Sequence, residues 1–366
     1  MGNFDIAELA VKISCGATNE LIYDDKGMPS VMVKIPKMTW AELGVGTSSE
    51  PFPAFIVNGK AIDALYFPKY QACVQNNRAY SLPGVDPKSL VNYDQSIAYS
   101  SNKGEGWHCI TRLEWMVLAL WCIKNGHQPL GNNNYGKDIT ESTRKAVPTY
   151  FEDGKVCRVA VGTGPLEWSH NGAADGVWDM CGNVWEWTTG FRLVHGELQV
   201  LSRDGVTFGN DGADPENSQA SDSPLWRAIN GTTGALIIPN GSGTTPNSLK
   251  IDRVAGKAKW ITGSITTKED NAYNCKFSDV SCDSNICDAA KHILMALGML
   301  KTNESSDLKD DIFWYNNGAE ERLFHCGGDW GHSVSAGVFA VSGNGPRSDS
   351  NRNLGFRCAF VKLPTA

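Results

Sequence analysis

The chain has 366 residues, of which 41% are hydrophobic and 20% charged, and its net charge is −7. This is enough for one large or two ordinary domains, with the composition of a globular protein. The acidic balance argues against a nucleic-acid partner, which needs a basic face. The longest apolar run, nine residues from Trp115 to Ile123, is too short to cross a membrane.

In chain order, the N-terminus has no basic stretch followed by an apolar one, so no secretory signal is expected. Gly2 with Ile6 does not fit the myristoylation pattern. Residues 1–48 read as a small separate segment for attachment or oligomerisation, with a strand at 30–35 and a linker-like composition at 43–50. Asn58-Gly59, between two apolar runs, predicts a hairpin. Helices are expected at 93–102 and 112–125. The second carries a Thr111/Glu114 capping box, a stop at Gly126 and apolar residues nearly all round, which predicts burial. Residues 94–103 read as a solvated face and Asn132 to Asn134 as a turn. The tryptophan-dense stretch 177–188 belongs in the core. Residues 196–321 read as a loop-rich insertion with one helix at 288–300. The fold class is α+β with short irregular strands. The eleven cysteines are scattered, as expected for reduced, mostly buried thiols in a protein made in a cytoplasm.

Four stretches then stand out together: Thr111-Arg-Leu-Glu-Trp115, Trp178-Asp-Met-Cys-Gly-Asn-Val-Trp-Glu-Trp187, Cys326-Gly-Gly-Asp-Trp330 and Leu354-Gly-Phe-Arg-Cys-Ala359. Their order resembles the formylglycine-generating-enzyme branch of the C-type lectin fold, over about residues 50–195 and 322–366. The resemblance implies a C-type lectin-like domain at 49–366. In the oxidases of that branch a cysteine pair between the Gly-Gly and Gly-Phe-Arg motifs carries copper chemistry. Residues 327–357 contain no cysteine, and Cys326 and Cys358 only flank the segment. A copper site needs thiolates in place, so no enzyme is expected. Relatives that use iron carry a histidine cluster, and the seven histidines here (108, 127, 170, 195, 292, 325 and 332) form no pair at helical spacing.

The C-terminal text also resembles the variable proteins of diversity-generating retroelements, found in phage tails and on bacterial surfaces. In that family a reverse transcriptase randomises the adenines of a template repeat. Asparagine codons then become codons that never encode Lys, Glu, Gln, Met or Trp. Residues 331–360 contain none of these five types, which make up about a sixth of the chain. The resemblance implies a variable region at about 325–358. Its candidate ligand-binding residues are His325, Asp329, Gly331, His332, Val334, Ser335, Ser342, Gly343, Asn344, Gly345, Asp349, Asn351, Arg352 and Asn353. His332, Val334, Asp349 and Arg352 would contribute most, because the glycines and serines offer little area.

A surface that tolerates random side chains needs a backbone that does not depend on them. The expected scaffold is Trp178, Trp185, Trp187, Trp330, Phe339 and Phe356, with Arg347 and Arg357 hydrogen-bonding loop carbonyls. The enzyme branch also implies a structural calcium, here at Asp179, Gly182, Val184 and Glu186. Cys275, Cys282, Cys287 and His292 fit no zinc spacing. The resemblance thus implies a non-enzymatic receptor-recognition protein of a phage or prophage tail, made in a bacterial cytoplasm. It would bind a protein or glycan on a cell surface, with no required cofactor, no nucleic acid and no membrane insertion, and a homo-oligomer is compatible with the resemblance. The runners-up are an oxidase relative and a lectin-like domain with one fixed ligand.

Overall fold

A computed structural model describes residues 3–15, 18–302 and 308–364. The class is α+β, with few helices and many short strands. Two sheets position the site. The first has five strands in the order Asn19–Tyr23, Pro29–Pro36, Ala64–Pro68, Cys358–Val361, Trp107–Cys109. The larger sheet runs from Tyr273–Lys276 through Ile312–Tyr315, Gly337–Gly345, Arg322–Gly327 and Trp185–Val194 to Glu197–Leu201, Lys250–Val254 and Lys257–Ile261.

The local signals explain most elements. The helix Arg112–Lys124 has both halves of its Thr111/Glu114 capping box, and ten of its residues are buried. Its apolar circumference lies in the main core. The helix Tyr93–Ser101 is capped the same way by Asn92 and Gln95. Ile56–Val57 pairs with Lys60–Ala61 through Asn58 and Gly59, both at positive φ, the conformation a two-residue hairpin turn of this hand requires. The helix Asp288–Ala296 stops four residues before the expected end, two residues ahead of Gly298 at φ +59.

The expected break near residue 48 is not a break in the sheet. Pro29–Pro36 pairs along its whole usable edge with Ala64–Pro68, from Met32 opposite Pro68 to Pro36 opposite Ala64. Lys103, expected on a solvated face, also ties this segment down. It is fully buried, donates to Ser30 Oγ at 2.7 Å, and lies over the Trp107 ring 3.1 Å from its centroid. Burial lowers its pKa to about 8. Residues 196–321 are likewise not a loose insertion. Glu197–Leu201, Lys250–Val254 and Lys257–Ile261 extend the larger sheet, with Leu198, Val200, Ile251, Ala258 and Trp260 all buried. The turn-rich composition between them masked these short runs.

Among the described residues no helix is long and apolar enough to cross a membrane.

Candidate functional site

The segment that follows the strand Arg322–Gly327 builds the candidate site. Arg322–Gly327 and Gly337–Gly345 pair antiparallel, with His325 opposite Ser342 and Cys326 opposite Val341. The 328–336 loop joins them. After Gly345 a second loop runs to the strand Leu354–Phe356, which lies parallel to Trp185–Trp187. Both loops therefore start and end on buried strands.

One carboxylate joins the two loops. Asp329 Oδ1 accepts from the Gly331 amide at 2.7 Å and from His332 Nδ1 at 2.8 Å, while Oδ2 accepts from Asn353 Nδ2 at 2.5 Å. Burial opposes its ionisation, but these hydrogen bonds and the nearby His332 hold its carboxyl below the usual range. His332 and His325 both pack edge-on against Trp185, with ring centroids 4.9 Å away, and His325 also meets Trp187 at 5.3 Å. Burial and the neighbouring His332 push the pKa of His325 down to about 3, so its ring is neutral.

The candidate positions divide into two groups. Gly331, Val334, Asn351 and Arg352 are exposed, and His332, Ser335, Asn344 and Asp349 are half-buried. A side chain at Gly331 would make only ordinary contacts, the nearest 3.5 Å away. The others do not face solvent freely. Asp329 and Ser342 are each 5% exposed. A Cβ on Gly343 would lie 2.4 Å from the Phe324 ring, and one on Gly345 would lie 2.8 Å from Trp187. An extra residue in the Gly337–Gly345 strand between these pairings turns both glycines onto aromatic rings. His325 is enclosed by tryptophans, and Asn353 is committed to Asp329. These six are internal or positioning residues, which corrects their expected role as solvent-pointing contacts. Asn344 is also set apart, since its amide oxygen faces Asn316 Nδ2 at 3.4 Å.

Asp329 holds the Gly331 amide from within the candidate set, and much of the remaining loop backbone is held from outside it. Trp330 O accepts from Tyr135 N at 2.9 Å, and Ser333 N donates to Asn133 O at 2.8 Å. Asn351 O accepts from Leu90 N at 3.0 Å, Asn353 O from Trp185 N at 2.8 Å, and Arg352 O from Arg158 Nη1 at 3.1 Å. Arg347 ties its loop to Glu321 at 2.9 and 2.8 Å, to Asp94 at 2.7 Å and to the Gln219 carbonyl at 3.1 Å.

The expected scaffold tryptophans and phenylalanines are all buried, in separate clusters. Trp185, Trp187 and Phe356 share one, Phe339 lies in the main core, Trp178 packs with Trp168, and Trp330 packs with Cys157 and Val184. Arg357 does bond the Trp178 carbonyl, at 2.6 Å, but its main partner is Glu186, at 2.6 and 3.0 Å.

That pair lies where the structural calcium was expected. Both Glu186 oxygens receive Arg357, and Oε1 also accepts from Gln71 Nε2 at 2.9 Å. The same Gln71 amide donates to the carbonyls of Asp179 and Val184, each at 3.3 Å. Asp179 Oδ2 accepts from the Gly162 amide at 2.8 Å, and Gly182 packs backbone-to-backbone on Asn132. A guanidinium and an amide thus hold both Glu186 oxygens, while Asp179 Oδ1 has no partner among the described residues. Among the described residues no group of three or more His, Cys, Asp or Glu side chains is placed to hold a metal.

No protein-family model matches the chain, and no curated protein matches it.

The composition gave no sign of the fixed rim around the loops. Tyr135 is 38% exposed, Ile139 39% and Phe151 56%. Phe151 lies on the hairpin Pro148–Glu152/Lys155–Val159, which Arg352 joins through Glu152 at 2.5 Å. Ile139 and Val334 share a cavity of about 340 Å³ with Asp138, Thr140 and Asp310. Asn132 and Asn133, expected in a plain turn, are buried and hydrogen-bonded.

Asp311 lies under the start of the Gly337–Gly345 strand. Its Oδ2 accepts from Phe339 N at 2.8 Å, and Oδ1 has no partner among the described residues. Burial pushes its carboxyl up to about 7, against the pull of the Phe339 amide and Lys309. The folded chain therefore keeps a proton that the unfolded chain releases between about pH 4 and 7. This contribution to stability is complete below about pH 4 and is lost as pH rises through 7. Asp311→Asn keeps the shape and the acceptor. It is expected to raise unfolding free energy by on the order of 2 kcal/mol at pH 8 and by much less at pH 5, measured by urea denaturation at both pH values.

Proposed function

We propose that this protein is a non-enzymatic receptor-recognition protein whose C-terminal loops are a diversified binding surface on a C-type lectin fold. The observation that carries this reading is that much of the loops' backbone hydrogen bonding comes from fixed residues outside the candidate set. Gly331, His332, Val334, Ser335, Asp349, Asn351 and Arg352 reach solvent to differing degrees. The carbonyls and amides around them bond Tyr135, Asn133, Leu90, Trp185 and Arg158, none of which is in the candidate set. A surface built this way changes its chemistry without changing its shape, which is what a retroelement-diversified site requires. Surface substitutions of this kind usually move stability by only about 0.5 kcal/mol.

The binding area would combine these positions with the fixed rim of Tyr135, Ile139 and Phe151. The aromatic residues supply contact area at low entropic cost, and the variable residues set specificity. The expected ligand is a protein or glycan of a cell surface, met by a phage or prophage tail. Calcium has no part in this reading.

The test is a library. The seven positions are randomised together with codons that exclude Lys, Glu, Gln, Met and Trp, and the library is displayed and sorted for folded protein. More than half of the members are expected to fold, and panning against unrelated proteins should yield binders that differ only at these positions. Collapse of the folded fraction to a few per cent would contradict the proposal.

A further inference from the structure

A second pocket lies well away from the C-terminal loops in sequence, within residues 243–268. It is a cavity of about 250 Å³ between the 243–246 loop, the start of the strand Lys250–Val254 and the 262–268 segment. Its polar lining is Thr244, Thr245, Lys250, Thr262, Ser264 and Lys268, and no carboxylate lines it.

Lys250 is the unusual member. It is 4% exposed, yet it makes no ion pair among the described residues. Its ammonium donates to Thr245 O at 2.8 Å and Ser248 O at 3.2 Å. An ammonium has three donors, so one remains. The nearest acid on the neighbouring strand is Glu197, opposite Lys250 in register. Its carboxylate is already used: Oε2 accepts from Ser248 Oγ at 2.6 Å and Thr245 N at 3.2 Å, and Oε1 accepts from Gln199 at 3.0 Å. A buried cation without a contacting anion is costly. Across the pocket Lys268 is exposed and also makes no ion pair among the described residues. The amide N–H groups of Gly263, Ser264 and Ile265 find no protein acceptor among the described residues. Two lysines, three threonines and a serine thus line a space the size of a small ligand.

We infer that this pocket binds a small tetrahedral oxyanion, the phosphate or sulfate group of a ligand, between Lys250 and Lys268. The charge-assisted hydrogen bonds from the ammonium groups would supply affinity, and the threonine and serine hydroxyls would accommodate a sugar carrying the group. The site lies outside the C-terminal loops, so it would read the same chemistry whatever those loops recognise. The inference does not rest on the reading of those loops.

Calorimetric titration of the full chain tests it, at constant ionic strength, with inorganic phosphate, inorganic sulfate, glucose 1-phosphate and glucose. The anions are expected to bind and glucose is not; tighter binding of the sugar phosphate would identify a glycan source over a free ion. Lys268→Ala, a surface change that should leave the fold intact, is expected to weaken binding about 3- to 10-fold through loss of a charge-assisted hydrogen bond. Lys250→Gln keeps a donor for Thr245 O and is expected to weaken binding at least as much. Absence of binding by every anion, or binding unchanged in Lys268→Ala, overturns the inference.

Discussion

Arg357→Met is expected to lower unfolding free energy by about 3–5 kcal/mol, the usual cost of leaving one member of a buried ion pair without its partner. Arg357 and Glu186 are both 0% exposed. Removing the guanidinium leaves Glu186 with only the Gln71 amide, and takes a donor from the carbonyls of Trp178 and Pro68. The pair also links the strand Leu354–Phe356 and its continuation to the tryptophan-rich segment on which the candidate loops rest. The loss is measured as a shift in urea midpoint. Arg357→Met combined with Glu186→Leu should recover much of it, because no buried charge then remains. If the double variant is no better than the single one, the effect came from lost packing and not from the stranded carboxylate.

The second large effect separates glycines within one segment. Gly343→Ala is expected to cost about 1–3 kcal/mol, the range for overpacking a close-packed core. The new methyl would meet the Phe324 ring at 2.4 Å, and that ring is itself stacked on Phe191 with centroids 4.1 Å apart, so it has little room to yield. Gly331→Ala should change stability by no more than about 0.5 kcal/mol, since its nearest contacts are at 3.5 Å and it faces solvent. Thermal unfolding of the two variants side by side checks the division of the candidate set. Equal tolerance at both positions would show that the strand can shift away from Phe324.

Much of the architecture was legible where a local physical signal dominated. The Thr111/Glu114 capping box placed one helix, Asn58-Gly59 placed a hairpin, and the apolar circumference of 112–124 placed that helix in the core. What sequence could not show was partnership at long range. The strand Pro29–Pro36 looked detachable because nothing local reveals that its partner is Ala64–Pro68. Lys103 looked solvated because a lysine in a polar stretch carries no sign that Trp107 and Ser30 await it. Asp179, Val184 and Glu186 converge on Gln71, 108 to 115 positions away, and Glu186 also on Arg357, 171 positions away, a meeting that only the fold creates. In the C-terminal segment, small residues looked alike. Packing makes Gly343 and Gly345, on a buried strand, internal and leaves Gly331, in the loop before that strand, outside.

Deep sequencing of the 3′ end of the gene in a clonal population, together with the adjacent DNA, tests the central claim most directly. The account predicts substitutions at the codons for Gly331, His332, Val334, Ser335, Asp349, Asn351 and Arg352, matching adenines in a nearby template repeat beside a reverse-transcriptase gene. It also predicts few or none at Gly343, Gly345, Phe356 and Arg357, whose side chains or lack of them the core requires. An invariant 3′ end with no template repeat nearby would contradict the account and leave a protein with one fixed ligand.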